Sequence, residues 1–189
     1  MPPDFTSVRA VAVPPHSAIA QAYATTHFAD AYAVLLPPEV NLGPEQLARC
    51  IMLNQPPWVA ALMKLRDGLV ARLGLKTASD LTASGASGAV QRVGIFRIYS
   101  ANATEIVLGE DDKHLNFRLS VLCSDHGTAQ PQPQPQPQLE PQPRLVTVST
   151  VVHCHNALGR AYIFAIAPFH RAIVQASLRR AARSGWSSH

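Results

Sequence analysis

The sequence predicts an α+β domain in which an antiparallel sheet carries helices on one side. Strand-like runs follow one another in the second half of the chain, helical periodicity precedes them, and a long helical pattern ends the chain. Because short turns join the successive strand-like runs, antiparallel pairing is favoured, and the helices must bury the apolar face of the resulting sheet. The length of 189 residues is typical of a single domain spanning the whole chain.

The first half of the chain predicts one strand followed by two helices. The strand covers residues 29–36. A short helix over 44–53 begins with a proline, whose missing amide proton is tolerated in a first turn. A second helix is predicted from Asn54 to Gly74 by apolar residues at helical spacing, and residues 77–89 have the composition of a loop.

The second half predicts a series of strands, over residues 92–99, 104–108, 114–122 and 145–155. The third of these alternates, so that one face carries Leu115, Phe117, Leu119 and Val121. A helix over 157–183 follows, with Asn156 placed to cap it and Pro168 expected to kink it. At 100° per residue, one side of that helix collects Tyr162, Ile166, Phe169, Ile173 and Ala176.

The composition indicates a folded protein with one apolar core. Hydrophobic residues make up 47% of the chain and charged residues 15%, with a net charge of +4. An average soluble domain has about 25% charged residues, so a disordered chain and a dedicated nucleic-acid module are both disfavoured. Three scattered cysteines, and no secretion signal or apolar run long enough to span a membrane, predict a cytoplasmic protein without stable membrane insertion.

Two segments are expected to lie outside the compact fold. Residues 1–10 are predicted to be a loose tail. Residues 130–143 read QPQPQPQPQLEPQP, and their six prolines predict an extended polyproline II loop between two strands. The alternative is a docking site through which this Pro-Gln loop binds a partner protein.

Four stretches resemble a bacterial family labelled domain of unknown function 2867, namely residues 30–34, 107–118, 155–162 and 168–171. The resemblance extends from about residue 11 to residue 183, excluding the Pro-Gln loop. That family is similar to the START-like (SRPBCC, helix-grip) group, in which a curved antiparallel sheet wraps a long carboxy-terminal helix. Members of the wider group bind sterols, lipids, polyketides or hormones, and a few catalyse cyclisation or dehydration. The resemblance therefore implies an apolar pocket and transfers no catalytic residue.

We expect the pocket to hold a small apolar or amphipathic molecule, without a cofactor. Its expected lining is Tyr162, Ile166, Phe169 and Ile173 from the helix, facing Phe117 and Leu119 from the sheet. A closed core is the alternative interpretation of the same pattern. Two other functions stay open: an enzyme resembling a cyclase or dehydratase on this scaffold, and an accessory module for a partner oxidoreductase.

Polar clusters supply candidates for chemistry. Should the protein be an enzyme, Asp112, His114 and Arg118 would act as base, proton shuttle and anion anchor, although carboxylates in turns usually stay solvated. His153 and His155 alternate along a strand and so face the same side, as two ligands of one zinc ion would, with His114 or Asp112 as a third. No glycine-rich phosphate loop or nucleophile elbow is present, which favours a binding role over an enzyme.

Basic residues are concentrated in the final helix, where the last turns carry Arg171, Arg179, Arg180 and Arg183. Cations at a helix carboxy terminus complement its dipole, and this explains them without a partner. Nucleic acid or anionic lipid is the alternative, and the absence of interleaved aromatic residues disfavours nucleic acid.

Overall fold

A computed structural model of the protein describes residues 3–53, 55, 56, 58, 59, 91–125 and 143–187. Within these residues seven strands and two long helices follow in chain order: β1 (Arg9–Val11), β2 (Phe28–Leu36), α1 (Pro44–Leu53), β3 (Arg92–Val93), β4 (Phe96–Ala101), β5 (Glu105–Asp111), β6 (Leu115–Asp125), β7 (Arg144–Cys154) and α2 (Ala157–Arg183).

The strands form one curved, open, antiparallel sheet in the order β1-β2-β7-β6-β5-β4-β3. The two longest strands, β6 and β7, pair along their whole length, from Leu115 opposite Cys154 to Asp125 opposite Arg144. The predicted α+β class and the predicted antiparallel sheet are therefore confirmed. None of the described helices is long and apolar enough to cross a membrane.

Local signals predicted most element boundaries. Both α1 and α2 have the predicted bounds, and the Asn156 side chain caps α2 by accepting a hydrogen bond from the amide of Gly159. Gly159 also lets α2 start close to the β5–β6 turn, because a Cβ atom there would clash with the carbonyl oxygen of His114.

Other predictions were incomplete or fall outside the described residues. The strand predicted over 92–99 is two strands, β3 and β4, separated by a turn in which Gly94 has φ 58°. Strand β1 was not predicted, and it includes the end of the segment expected to be a loose tail. Of the second predicted helix only Trp58 and Val59 are described as helical, and residues 77–89 and 130–142 lie outside the described residues.

The two faces of the sheet are covered by different parts of the chain. The helix face carries Tyr32, Val34, Leu108, Val121 and Val148, which form the main core with α1 and with the end of α2. The opposite face, here called the segment face, packs Val107 and Val151 against residues 13–23. Apolar residues on both faces explain why β5 and β7 are buried along almost their whole length.

Candidate ligand site between the sheet and the final helix

The helix face carries two separate apolar clusters. The main core lies under α1 and the carboxy-terminal part of α2. A second cluster lies under the start of α2 and consists of Leu115, Val152 and Cys154, with Phe28, Phe117, Tyr162 and Ile163 packed against them. The strand register places Leu119, Thr150 and Asp30 side by side on β6, β7 and β2, at the edge of the main core, to which Leu119 belongs.

Two of these three residues are polar and buried. The side chain of Asp30 is 9% exposed, and Thr150 is 4% exposed. Within the described part of the chain, neither the Thr150 hydroxyl nor Asp30 Oδ2 has a hydrogen-bond partner. Leaving a buried polar group unpaired costs about 1–3 kcal/mol, so such atoms are normally satisfied by a water molecule or a ligand.

Helix α2 supplies the other polar groups of this site. His170 Nε2 lies 3.3 Å from Asp30 Oδ1, and Arg171 Nε lies 3.9 Å from Asp30 Oδ2. The His170 ring meets the Phe28 ring edge to face at 5.6 Å, and the Arg171 guanidinium lies 5.3 Å from the centre of the same ring. Asp30, Thr150 and His170 are called the polar row below, because they adjoin one another at the edge of the main core.

The predicted ligand residues are distributed unevenly around this site. Phe117 and Tyr162 meet in the second cluster, and Leu119 lies beside Thr150. Ile166 and Ile173 are half-buried, whereas Phe169 is 49% exposed.

The buried side of α2 therefore differs from the predicted one. It contains Gly159, Ala167, Val174, Ser177, Leu178 and Ala181. This side is rotated by about 100° from the predicted stripe, a rotation that corresponds to one residue. The prediction followed the bulkiest side chains, while the fold buries mainly small ones, which allow the helix to lie close to the sheet.

The catalytic candidates engage three different sets of partners. Asp112 Oδ1 accepts a hydrogen bond from the backbone amide of Lys113, and His114 Nδ1 lies 2.9 Å from the Asn156 side-chain amide. Arg118 instead lies on the segment face of the sheet. Both of its terminal nitrogens contact the Asp111 carboxylate there, at 2.8 and 3.2 Å. Its charge is thus already paired, which argues against the predicted role as an anion anchor.

Arg118 belongs to a compact polar group on the segment face. Its guanidinium stacks 3.6 Å from the centre of the Tyr99 ring, and the Tyr99 hydroxyl donates to Asp111 at 2.8 Å. Burial acts to raise the pKa of Asp111, but hydrogen bonds from Arg118 and Tyr99 outweigh it and hold that pKa below its ordinary value. Burial raises the pKa of the neighbouring Tyr23 to about 12.

His153 on β7 and His155, directly after the end of β7, have ring centres 5.2 Å apart. A third imidazole, that of His27, lies 5.2 Å from His153 and was missed in the sequence, because only the β2–β7 register brings it there. His153 Nδ1 is 2.6 Å from the Thr25 carbonyl oxygen, and His155 Nε2 is 3.0 Å from Asn116 Oδ1. No group of three or more His, Cys, Asp or Glu among the described residues is placed to hold a metal ion.

An open pocket of about 600 Å³ lies elsewhere, between the start of α1 and the β4–β5 turn. Its walls include Pro44, Gln46, Arg49 and Asn102. None of the predicted ligand residues lines it.

The chain matches the model of a family described as "Protein of unknown function (DUF2867)" over residues 22–177. The protein belongs to this family. No curated protein and no solved structure matches the chain. The whole polar row lies inside the matched region, and the sheet with its terminal helix fits a helix-grip fold.

Asp30 and Thr150 were missed as site residues in the sequence, although each left a signal. Asp30 interrupts an otherwise apolar strand, and Thr150 stands in a run rich in valine. Asp30, His170 and Arg171 also belong to two of the stretches that carry the family resemblance, and the fold brings those two stretches together.

Proposed function

We propose that this domain binds a small amphipathic molecule between the helix face of the sheet and α2. The polar end of the molecule occupies the polar row, and its apolar part lies against the second cluster. The observation that carries the proposal is a pair of buried atoms without a hydrogen bond, Thr150 Oγ1 and Asp30 Oδ2, on directly opposed residues of β7 and β2.

The chemistry of the polar row favours a ligand with a hydroxyl or amino group. An ionised Asp30 offers only acceptor oxygens, so its partner must be a hydrogen-bond donor. The Thr150 hydroxyl is both donor and acceptor and therefore accommodates the same group. A fatty-acid carboxylate would instead be repelled by Asp30, which makes alcohols and amines the better candidates.

A matched pair of threonine substitutions tests the polar contact. Thr150 and Thr147 are both buried on β7 but face opposite sides of the sheet. Native mass spectrometry of freshly purified protein detects a co-purified molecule. Displacement of an apolar dye by that molecule measures its affinity for each variant. We expect Thr150→Val to weaken binding about tenfold, the loss of one hydrogen bond, and Thr147→Val to leave it unchanged.

Steric substitutions test the location independently. Ile166→Trp or Ile173→Trp enlarges a half-buried side chain of α2 and is expected to abolish dye binding in a protein that still unfolds cooperatively. Ala165→Trp is the control, because Ala165 is exposed on α2. The proposal fails if dye binding survives both Ile166→Trp and Ile173→Trp unchanged.

An enzyme on the same scaffold is the second candidate, and the contact that favours it is that between His170 and Asp30. A carboxylate that orients an imidazole is a common arrangement for general acid–base catalysis. For an enzyme we expect His170→Gln to retain ligand binding and to stop conversion of the bound molecule, as judged by its mass. If the bound molecule has the same mass in the wild type and in His170→Gln, the protein binds it without converting it.

A further inference from the structure

The outward side of α2 is apolar over the first two-thirds of the helix. This outward face consists of Ala161, Phe164, Ala165, Pro168, Phe169 and Ala172, all of them exposed. Phe164 is 85% exposed and Phe169 is 49% exposed. The inward side of the same stretch is also apolar, because Gly159 and Ala167 pack against the rest of the domain.

Such a pattern is unusual for a helix at the surface of a domain. A surface helix normally places charged or polar residues opposite its buried stripe. Single exposed apolar residues are common, but a contiguous apolar patch with two phenylalanines marks an interaction surface. The outward face therefore needs a partner with an apolar part.

The charges of α2 indicate the chemistry of that partner. The helix contains no Asp or Glu, and all five of its arginines are exposed: Arg160, Arg171, Arg179, Arg180 and Arg183. At 100° per residue, Arg179 and Arg183 project to the same side as the outward face, about two and three turns beyond its end. The complementary partner is thus negatively charged and apolar at the same time.

We propose that α2 lies flat on the surface of an anionic lipid bilayer. Phe164 and Phe169 enter the boundary between headgroups and acyl chains, and Arg179 and Arg183 contact lipid phosphates. The opposite side of α2 still covers the sheet, so this contact is independent of the proposed ligand site. A second copy of the chain is a poorer partner, because it would bring the same arginines and no carboxylate from α2.

Sedimentation with lipid vesicles tests the apolar part of the proposal. We expect the protein to bind vesicles of phosphatidylcholine mixed with phosphatidylglycerol and not vesicles of phosphatidylcholine alone. Phe164→Ser combined with Phe169→Ser is expected to lower the partition coefficient on the order of tenfold or more. Leu53→Ser is the matched control, since Leu53 is 61% exposed but lies on α1, and it should bind as the wild type does.

A second pair of variants tests the charge. Arg179→Gln is expected to lower binding to the anionic vesicles about fivefold, whereas Arg9→Gln, on the exposed strand β1, should have no such effect. Equal binding to both kinds of vesicle overturns the proposal, as does a failure to bind either. A concentration-dependent dimer in sedimentation velocity that Phe164→Ser dissolves, without vesicle binding, would overturn it in favour of a second copy.

Discussion

Two buried carboxylates on opposite faces of the sheet are held in very different ways. On the segment face, Glu105 accepts hydrogen bonds from the hydroxyls of Ser17 at 2.6 Å and Ser120 at 2.5 Å, and from the amide of Ala18 at 3.0 Å. On the helix face, Asp30 lies 3.3 Å from His170 and 3.9 Å from Arg171. The first carboxylate has its hydrogen bonds supplied by the chain itself, and the second keeps an oxygen without a hydrogen bond.

The two carboxylates also differ in how firmly they join parts of the chain. Glu105 fastens residues 17 and 18 to β5 and β6, and so holds the covering segment on its face of the sheet. Asp30 fastens little, because its contacts with α2 are long. A charge buried with incomplete partners is expensive, and under the proposed function the bound molecule would complete them.

Removing the two carboxylates gives the largest contrast. We expect Glu105→Ala to lower the free energy of unfolding by about 3 kcal/mol, because three donors lose their acceptor inside the protein. Asp30→Ala should cost less than about 1 kcal/mol in ligand-free protein, since it breaks only two long contacts, with His170 and Arg171. Urea denaturation of both variants measures this, and equal losses would remove the distinction between the two faces.

Replacing the Thr150 hydroxyl, which has no hydrogen bond, is expected to raise the free energy of unfolding and not to lower it. Thr150→Val removes a buried group without a partner and should raise the free energy of unfolding of ligand-free protein by about 1 kcal/mol. Thr147→Val, on the segment face, should give no such gain. Thermal and urea unfolding of the two variants provide the comparison. A loss of stability in Thr150→Val would show that the hydroxyl already has a partner within the protein.

Stability at alkaline pH tests the burial of Tyr23 on the segment face. The pKa of Tyr23 is about 12 in the folded protein against an ordinary value of 10.0, so the folded state retains a proton that the unfolded state releases. The stabilisation is complete below pH 10.0 and is lost as the pH rises toward about 12. Tyr23→Phe should reduce this alkaline loss and remove a late step from the ultraviolet absorbance titration of tyrosine. An unchanged titration would mean that another tyrosine is responsible.

The smallest expected effect concerns the acid side of the same face. Because the pKa of Asp111 is lowered, its contribution to stability is present above the ordinary value of 3.8 and is lost as the pH falls through the lowered value. Arg118→Gln should raise the pKa of Asp111 toward 3.8 and weaken this acid dependence slightly, since the Asp111 side chain is 48% exposed. An NMR titration of the Asp111 carboxyl measures this pKa. If the pKa does not change in Arg118→Gln, the hydrogen bond from Tyr99 is what lowers it.

Much of the fold was predictable, and little of the site. The bounds of α1 and α2 follow from proline at a first turn, from the Asn156 cap and from apolar spacing, and all of these lie within a few residues along the chain. The alternation in β6 likewise predicted that Leu115, Phe117, Leu119 and Val121 share a face. For α2 the apolar pattern was ambiguous, because apolar residues occur all around the helix, and the predicted buried side was rotated from the observed one.

The sequence by itself determined the α+β class, the order of the elements and most of their ends, because these depend on backbone preferences and capping between near neighbours. Only the tertiary structure decided that Asp30 meets Thr150 and His170, or that His27 lies beside His153. Those contacts depend on strand register and on how α2 lies across the sheet. Both are set by the packing of residues more than 100 positions apart, for which the sequence carries no local signal.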